Sequence, residues 1–145
     1  MDGAMWPGEL GDVYPVGEKQ PERVRTRNGR ALEELTLDNL LAGRVEPSDF
    51  GITAEGLRLQ GEIAERAGRP NLAQNLRRGS ELVDVPDGVL LELYELLRPG
   101  RASGAAELRA AAERLRAEYG AVETARLFEE AAEVYERRGL FRRRF

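Results

Sequence analysis

The chain has 145 residues, of which 41 % are hydrophobic and 33 % charged, with a net charge of −4. This composition is typical of one globular domain, and the acidic balance argues against a nucleic-acid-binding protein. The sequence contains neither cysteine nor histidine, which excludes disulfides, zinc–thiolate sites, thiolate nucleophiles and the most common general base.

Residues 1–22 mix turn residues with isolated apolar ones and show no helical or strand periodicity. We therefore expect an extended, largely disordered N-terminal arm, followed by a single helical domain over 23–145. Trp6 and Tyr14 are unusual in such an arm. They are either placed there by accident in a flexible tail or anchor the arm across a partner protein, where aromatic side chains are common.

The first part of the predicted domain begins with a turn and a short helix. Asn28-Gly29 indicates a tight turn. It either joins a small hairpin or is a simple turn before a helix, and we favour the simple turn. Thr36 is predicted to cap a short helix that ends at Gly43. The apolar side of this helix consists of Leu37, Leu40 and Leu41.

The best-delimited helix of the sequence lies between Ile52 and Pro70. Thr53 is a suitable N-cap, and Ile52 and Leu57 are spaced as a hydrophobic staple. Gly68 is suited to the left-handed conformation that ends a helix, and Pro70 prevents its continuation. The apolar stripe of the helix consists of Leu59, Ile63 and Ala67.

Four further apolar stripes follow Pro70 at helical spacing. They consist of Leu72, Leu76, Gly79 and Val83; Leu90, Leu93, Tyr94 and Leu97; Leu108, Ala111, Ala112, Leu115 and Tyr119; and Phe128, Ala131, Ala132 and Tyr135. Asp87 and Ser103 are predicted N-caps. Gly120 and Gly139 are predicted to end the last two helices at their C-termini. The last two stripes share one pattern, which indicates two antiparallel helices that approach closely at their alanine pairs. We predict an all-α fold, an irregular bundle of about six helices with an extended N-terminal arm and at most one small hairpin.

Two charged clusters have competing interpretations. Carboxylates on the last helix could hold a metal, but such helical sites usually include histidine, so a solvated acidic face is favoured. These carboxylates are Glu129, Glu130, Glu133 and Glu136. The Arg-rich end, 137–145, could contact nucleic acid or dock on a partner, although positive charge also suits a helix C-terminus.

An ordered series of segments carries a family resemblance. The segments are Tyr14-Pro15, 18–22, 35–45, Ile52-Thr53, 57–60, Ile63-Ala64, 67–69, 72–78, Glu81-Leu82, 85–87 and 97–99. Together they resemble the small (gamma) subunit of the adenosylcobalamin-dependent diol and glycerol dehydratases, from about Tyr14 to Gly139. The glycines at 56, 61, 79, 88 and 100 depart from what we expect in that family.

The resemblance implies a subunit of a complex that dehydrates propane-1,2-diol or glycerol to the aldehyde by radical chemistry. In that family the large subunit holds the substrate and a metal ion, and cobalamin lies between the large and medium subunits. The small subunit is mostly helical, packs on the large subunit and contributes no known catalytic residue. The complex is a dimer of three-chain units. We therefore expect no catalytic, cofactor-binding or metal-binding residue in this chain, with adenosylcobalamin bound elsewhere in the holoenzyme.

Three residues are predicted to contact a partner subunit: Trp6, Tyr14 and Arg58. Arg58 is included because it lies off the apolar stripe of its helix, whose Gly56 and Gly61 are costly in isolation. We expect a cytoplasmic protein without a membrane helix or signal peptide. Residues 1–13 do not resemble the amphipathic helix that directs some relatives into bacterial microcompartments. The alternative function is a free-standing helical adaptor or regulator with an Arg-rich docking tail.

Overall fold

The computed structural model describes residues 11–142, and Trp6 and the last three residues lie outside this range. Within it the helices are α1 (Val16–Lys19), α2 (Leu37–Leu41), α3 (Ala54–Arg66), α4 (Pro70–Leu82), α5 (Asp87–Leu96), α6 (Ala105–Tyr119) and α7 (Val122–Arg138). Short 3-10 helices span Pro21–Arg23, Leu32–Glu34 and Pro47–Phe50. Over the described range there is no β-strand, and one isolated antiparallel bridge joins Arg25 and Ala31 around the predicted turn. The all-α prediction is confirmed.

The chain divides into two compact units, Met1–Ser80 and Glu81–Phe145. Each has its own buried cluster of apolar side chains. The prediction that 23–145 form a single domain stays a prediction.

In the first unit, α3 begins and ends where local chemistry predicts. The hydroxyl of Thr53 accepts a hydrogen bond from the amide of Gly56 at 3.0 Å, and Gly68 has a φ of +71°. Pro70 is the first residue of α4, a position that tolerates proline because its missing N–H has no helical partner there. Ile52 is mostly exposed, so the predicted staple does not bury it.

The core of the first unit forms on the predicted stripe of α3. Leu59 and Ile63 are buried together with Val13, and Val16 and Ala67 pack against them. The prediction of an arm without helix is therefore wrong for its described part, because α1 forms there and Val13 is buried. Val13 and Val16 contact the apolar stripe of α3, and this contact stabilises the arm. The periodicity within the arm did not indicate it.

The packing of α4 differs from its predicted stripe. Ala73 and Ser80 are the buried residues of this helix, whereas Leu72 is exposed. A methyl group placed on the buried Gly61 of α3 would lie 3.4 Å from the carbonyl oxygen of Ala73. A methyl group at position 61 would thus be in van der Waals contact with α4, and a larger side chain there would press on that helix.

The second unit is built on α6 and α7, which pack along their predicted stripes. Of the predicted alanines, Ala111, Ala112 and Ala132 are buried and Ala131 packs against them. The buried core consists of Leu93, Ala102, Ala105, Leu108, Ala111, Ala112, Leu115, Ala121, Ala125, Phe128 and Ala132. Because the helices are joined across Gly120-Ala121, they run antiparallel, as predicted. Gly120 and Gly139 have positive φ at the helix ends, as predicted.

In the second unit, two predicted caps are wrong by one residue, and one residue of a predicted apolar stripe, Tyr94, is exposed. Pro86 precedes α5, and Asp87 is its first residue. Gly104 precedes α6, while the hydroxyl and amide of Ser103 both donate to the Glu107 carboxylate at 2.9 and 2.7 Å. Tyr94 is exposed on α5, and the buried residue of this helix is Leu93. Spacing alone specifies a helix but not its rotation toward its neighbours.

Candidate subunit interface

The two predicted interface residues within the described range, Tyr14 and Arg58, do not line a common pocket. Tyr14 is exposed and follows the buried Val13. Arg58 is exposed on α3, where it lines a shallow pocket of about 300 Å³ together with Arg23, Glu55, Leu59 and Glu62. Tyr14 does not line this pocket. A contact of Tyr14 or Arg58 with a partner stays a prediction, and so does that of Trp6, which lies outside the described residues.

A second groove of about 160 Å³ shares the lining residues Arg23, Glu55 and Leu59 with the pocket beside Arg58. Val16, Val24 and Leu59 supply apolar lining, and Arg23 and Arg25 supply positive charge. Across the first pocket, the guanidinium of Arg23 lies 3.3 Å from the Glu62 carboxylate. Both grooves are shallow, and among their described lining residues no nucleophile is paired with a base.

A buried carboxylate that sequence reasoning missed holds the segments 26–30 and 46–49 together. Asp49 is 3 % exposed. It accepts hydrogen bonds from the Thr26 hydroxyl at 2.8 Å, the Asn28 amide at 3.1 Å and the Arg30 guanidinium at 3.2 Å. The backbone amide of Glu46 donates to it at 2.9 Å.

This arrangement stabilises the ionised form of Asp49. The backbone hydrogen bond from Glu46 lowers the pKa of Asp49, and the Thr26 and Asn28 hydrogen bonds and the charge of Arg30 add to the effect against the opposing effect of burial. All four donors come from residues outside α-helices, and those at 26, 28 and 30 are about twenty positions away in sequence. No helical or strand periodicity indicates such a cluster.

The short helix α2 forms as predicted, but its leucines face solvent. The hydroxyl of Thr36 accepts from the amide of Asn39 at 3.2 Å, and Gly43 has a φ of +69°. No residue of α2 is buried. The exposed large apolar side chains from here to the start of α3 are Leu37, Leu40, Leu41, Phe50 and Ile52.

The acidic face of α7 has no metal-site geometry in the part of the chain that the structure describes. No group of three His, Cys, Asp or Glu side chains there is placed to hold a metal ion. Arg116 instead makes two hydrogen bonds to the Glu129 carboxylate, at 2.6 and 2.7 Å. These hydrogen bonds from Arg116 hold the pKa of Glu129 below its ordinary value.

The described part of the C-terminal tail packs on its own unit. The ring of Phe141 lies 5.9 Å from that of Tyr135, whose hydroxyl donates to the carbonyl oxygen of Leu97. The carbonyl oxygen of Leu140 accepts from the amide of Gly100 at 2.8 Å. Leu140 and Phe141 are both half-buried, and Phe141 packs against the core of its own unit, while docking of the Arg-rich end on a partner stays a prediction. Phe145 lies outside the described residues.

Among residues 11–142, no helix is both long and apolar enough to cross a lipid bilayer. This finding agrees with the absence of an apolar run of about twenty residues from the sequence.

Comparison with known proteins defines the class. Residues 11–142 match the family described as dehydratase small subunit. The chain is 46 % identical over 122 residues to the propanediol dehydratase small subunit of Citrobacter freundii, covering 84 % of this chain and 70 % of that protein. It is 45 % identical over 122 residues to the propanediol dehydratase small subunit of Salmonella typhimurium, with the same coverage. The chain belongs to the dehydratase small-subunit family, which confirms the resemblance stated from the sequence.

Proposed function

We propose that this chain is the non-catalytic small subunit of an adenosylcobalamin-dependent diol dehydratase, which converts propane-1,2-diol or glycerol to the corresponding aldehyde. The observation that carries the proposal is the match of residues 11–142 to the family, together with the names of the two relatives. Its partners are the large and medium subunits, in a dimer of three-chain units. The chain stabilises the large, catalytic subunit.

The chemistry of the described residues supports a role without catalysis. Asp49, the most buried carboxylate, is occupied by four hydrogen-bond donors, so it is not available to a substrate. The bidentate pair of Arg116 and Glu129 likewise satisfies its own charges. In a cofactor enzyme the reaction chemistry comes from the cofactor, and protein chains contribute binding and orientation.

Adenosylcobalamin supplies the radical in the proposed holoenzyme, and the pockets described in the first unit of this chain are small for it. The shallow pockets of the first unit measure about 160 to 300 Å³. Sites for drug-sized ligands span roughly 300–1,000 Å³, and a corrin with its nucleotide is larger than such ligands. We therefore assign the cofactor to the large and medium subunits.

The test is reconstitution of activity. The chain is co-expressed with the large and medium subunits from the same genome, and aldehyde formation from propane-1,2-diol and from glycerol is measured with and without adenosylcobalamin. We expect activity from the three-chain complex with the cofactor and none from this chain alone. Activity of the isolated chain, or full activity and stability of the other subunits without it, would contradict the proposal.

A further inference from the structure

Asn28-Gly29 is the one place in the sequence where glycine follows asparagine. The other asparagines, Asn39, Asn71 and Asn75, all precede leucine. An asparagine side chain loses ammonia when the next backbone nitrogen attacks its carbonyl carbon, a reaction called deamidation. Glycine hinders that attack least, because it has no Cβ. By residue type, Asn28 is therefore the asparagine of this chain most open to deamidation.

The surroundings of the turn give Asn28 no steric protection. Asn28 and Gly29 are both exposed to solvent. Gly29 has a φ of +80°, and nothing lies within 4 Å of the position that a Cβ would occupy there. Water therefore reaches the site, and protection of Asn28 in the folded chain has to come from hydrogen bonds.

Both reacting groups are engaged by hydrogen bonds that oppose the attack. The amide of Gly29 donates to the carbonyl oxygen of Thr26 at 2.9 Å. The side-chain amide of Asn28 donates to the Ser48 hydroxyl at 2.9 Å and to the Asp49 carboxylate at 3.1 Å. Deamidation requires loss of the Gly29 amide proton and rotation of the Asn28 side chain toward that nitrogen. Each requirement breaks a bond of the folded turn.

The reaction needs water and no other reactant. Hydroxide removes the amide proton of Gly29, the Gly29 nitrogen bonds to Cγ of Asn28, and the Cγ–Nδ2 bond breaks. The leaving nitrogen takes a proton from water and departs as ammonia. A second water molecule opens the cyclic imide and leaves aspartate or isoaspartate at position 28. No atom is oxidised or reduced.

We propose that Asn28 is a deamidation site that Ser48 and Asp49 keep unreactive in the folded chain, and that its reaction after opening weakens the fold irreversibly. The product places a carboxylate where the Asn28 amide now meets one oxygen of Asp49, so that two like charges lie at hydrogen-bond distance. Arg30 is already paired with the other oxygen of Asp49, at 3.2 Å. The inference is independent of the proposed function.

The first experiment measures deamidation of the full-length chain in mildly alkaline buffer, with and without denaturing urea. Peptide mapping by mass spectrometry detects replacement of the side-chain NH2 by OH at each asparagine. We expect Asn28 to react at least about tenfold faster in urea than in the folded chain, because folding limits the open population. Asn39, Asn71 and Asn75 serve as internal controls and should react far more slowly in urea. Equal rates at Asn28 in both conditions would overturn the protection, and an unreactive Asn28 in urea would overturn the site.

The second experiment removes the acceptors of the Asn28 amide. Ser48→Ala deletes one of them, and Ser103→Ala is the matched control, since the Ser103 hydroxyl bonds to Glu107 in the other unit. Circular dichroism confirms that each variant is folded. We expect Ser48→Ala to deamidate about 2- to 10-fold faster than wild type when folded, as the loss of one hydrogen bond predicts, and Ser103→Ala to match wild type. All three should react at one rate in urea.

Asp49→Ala deletes the other acceptor and should accelerate the reaction further. If Ser48→Ala reacts at the wild-type rate, or if Asp49→Ala slows the reaction, the two acceptors do not protect Asn28 and the inference fails.

The third experiment tests the consequence of the reaction. Asn28→Asp and Asn28→Ala both lose the donated hydrogen bonds, but only the first adds a charge beside Asp49. We expect a lower thermal midpoint for Asn28→Asp than for Asn28→Ala at neutral pH. Equal midpoints, or a higher one for Asn28→Asp, would show that the product carboxylate does not weaken the fold.

Discussion

Asp49 shows how one side chain can organise a segment without regular structure. Its two carboxylate oxygens accept from donors on either side of the turn at Asn28-Gly29 and from the amide of Glu46. A buried charge is costly unless its hydrogen-bonding capacity is satisfied, and here four donors satisfy it. Loss of the charge leaves these donors facing one another.

We expect Asp49→Asn to lower the thermal midpoint of the chain by several degrees at pH 7, because the introduced amide donors oppose Arg30 and the Glu46 amide. The exposed Asp12→Asn serves as the control and should leave the midpoint unchanged. Thermal unfolding followed by circular dichroism measures both. An Asp49→Asn midpoint equal to that of the wild type would show that the cluster contributes no stability.

The same residue predicts a pH dependence with a defined sign. The pKa of Asp49 is lowered in the folded chain from its ordinary value of 3.8. A carboxyl group with a depressed folded pKa stabilises the protein above its unfolded pKa, and this contribution is lost as pH falls through the folded value. The difference in midpoint between wild type and Asp49→Asn should therefore be full at pH 7 and shrink below about pH 3.8. A difference that grows in acid would contradict this assignment.

At the scale of single residues, sequence reasoning succeeded where the determining contact is local. The hydroxyls of Thr36 and Thr53 bond to amides three residues on, and both caps were predicted. The role of Asp49 was not predicted, because its partners are distant in sequence and no periodicity connects them. Ser103 resembles a cap by residue type, yet its hydroxyl donates to Glu107. Residue type alone does not distinguish these two uses.

The glycines of the helices illustrate packing at the scale of elements. Gly61 lies where α3 meets α4, and a side chain there would press on the Ala73 carbonyl oxygen and on Leu76. Gly88, in the first turn of α5, has nothing within 4 Å of the position of an added Cβ. The two glycines therefore have different reasons to be present, and nothing in the structure of the chain explains Gly88.

We expect Gly61→Leu to lower the free energy of unfolding by about 1–3 kcal/mol, because it overpacks the contact between α3 and α4. Gly88→Ala is the opposite case and should raise the free energy of unfolding by about 0.5 kcal/mol through helix propensity. Urea unfolding of each variant measures the changes. Tolerance of leucine at 61 without loss of stability would show that the helices can separate there at no cost.

Helix existence could be predicted from periodicity, but helix rotation could not. The stripes of α3, α6 and α7 match their buried residues because each carries a continuous row of apolar side chains. In α4 the small residues Ala73 and Ser80 are buried, whereas Leu72 is exposed, and the backbone of Ala73 lies against Gly61. The helix α2 forms as predicted, with Leu37, Leu40 and Leu41 at the predicted spacing. The periodicity did not reveal that these leucines remain exposed.

At the scale of the whole molecule, the family could be predicted from the sequence, and the exposure of individual apolar side chains could not. The ordered segments from Tyr14 to Gly139 gave the resemblance that the match of residues 11–142 confirms. A sequence reveals apolar residues but not which of them remain uncovered when the chain folds. The structure shows this for Leu37, Leu41, Phe50 and Ile52.

The most direct test of the central claim, that this chain is a subunit of a diol dehydratase, is the composition of the purified complex. The tagged large subunit is isolated with co-expressed medium subunit and this chain, passed through gel filtration, and analysed by native mass spectrometry. The account predicts all three chains in equal numbers, in a dimer of three-chain units. Recovery of an active complex of large and medium subunits that lacks this chain would contradict it.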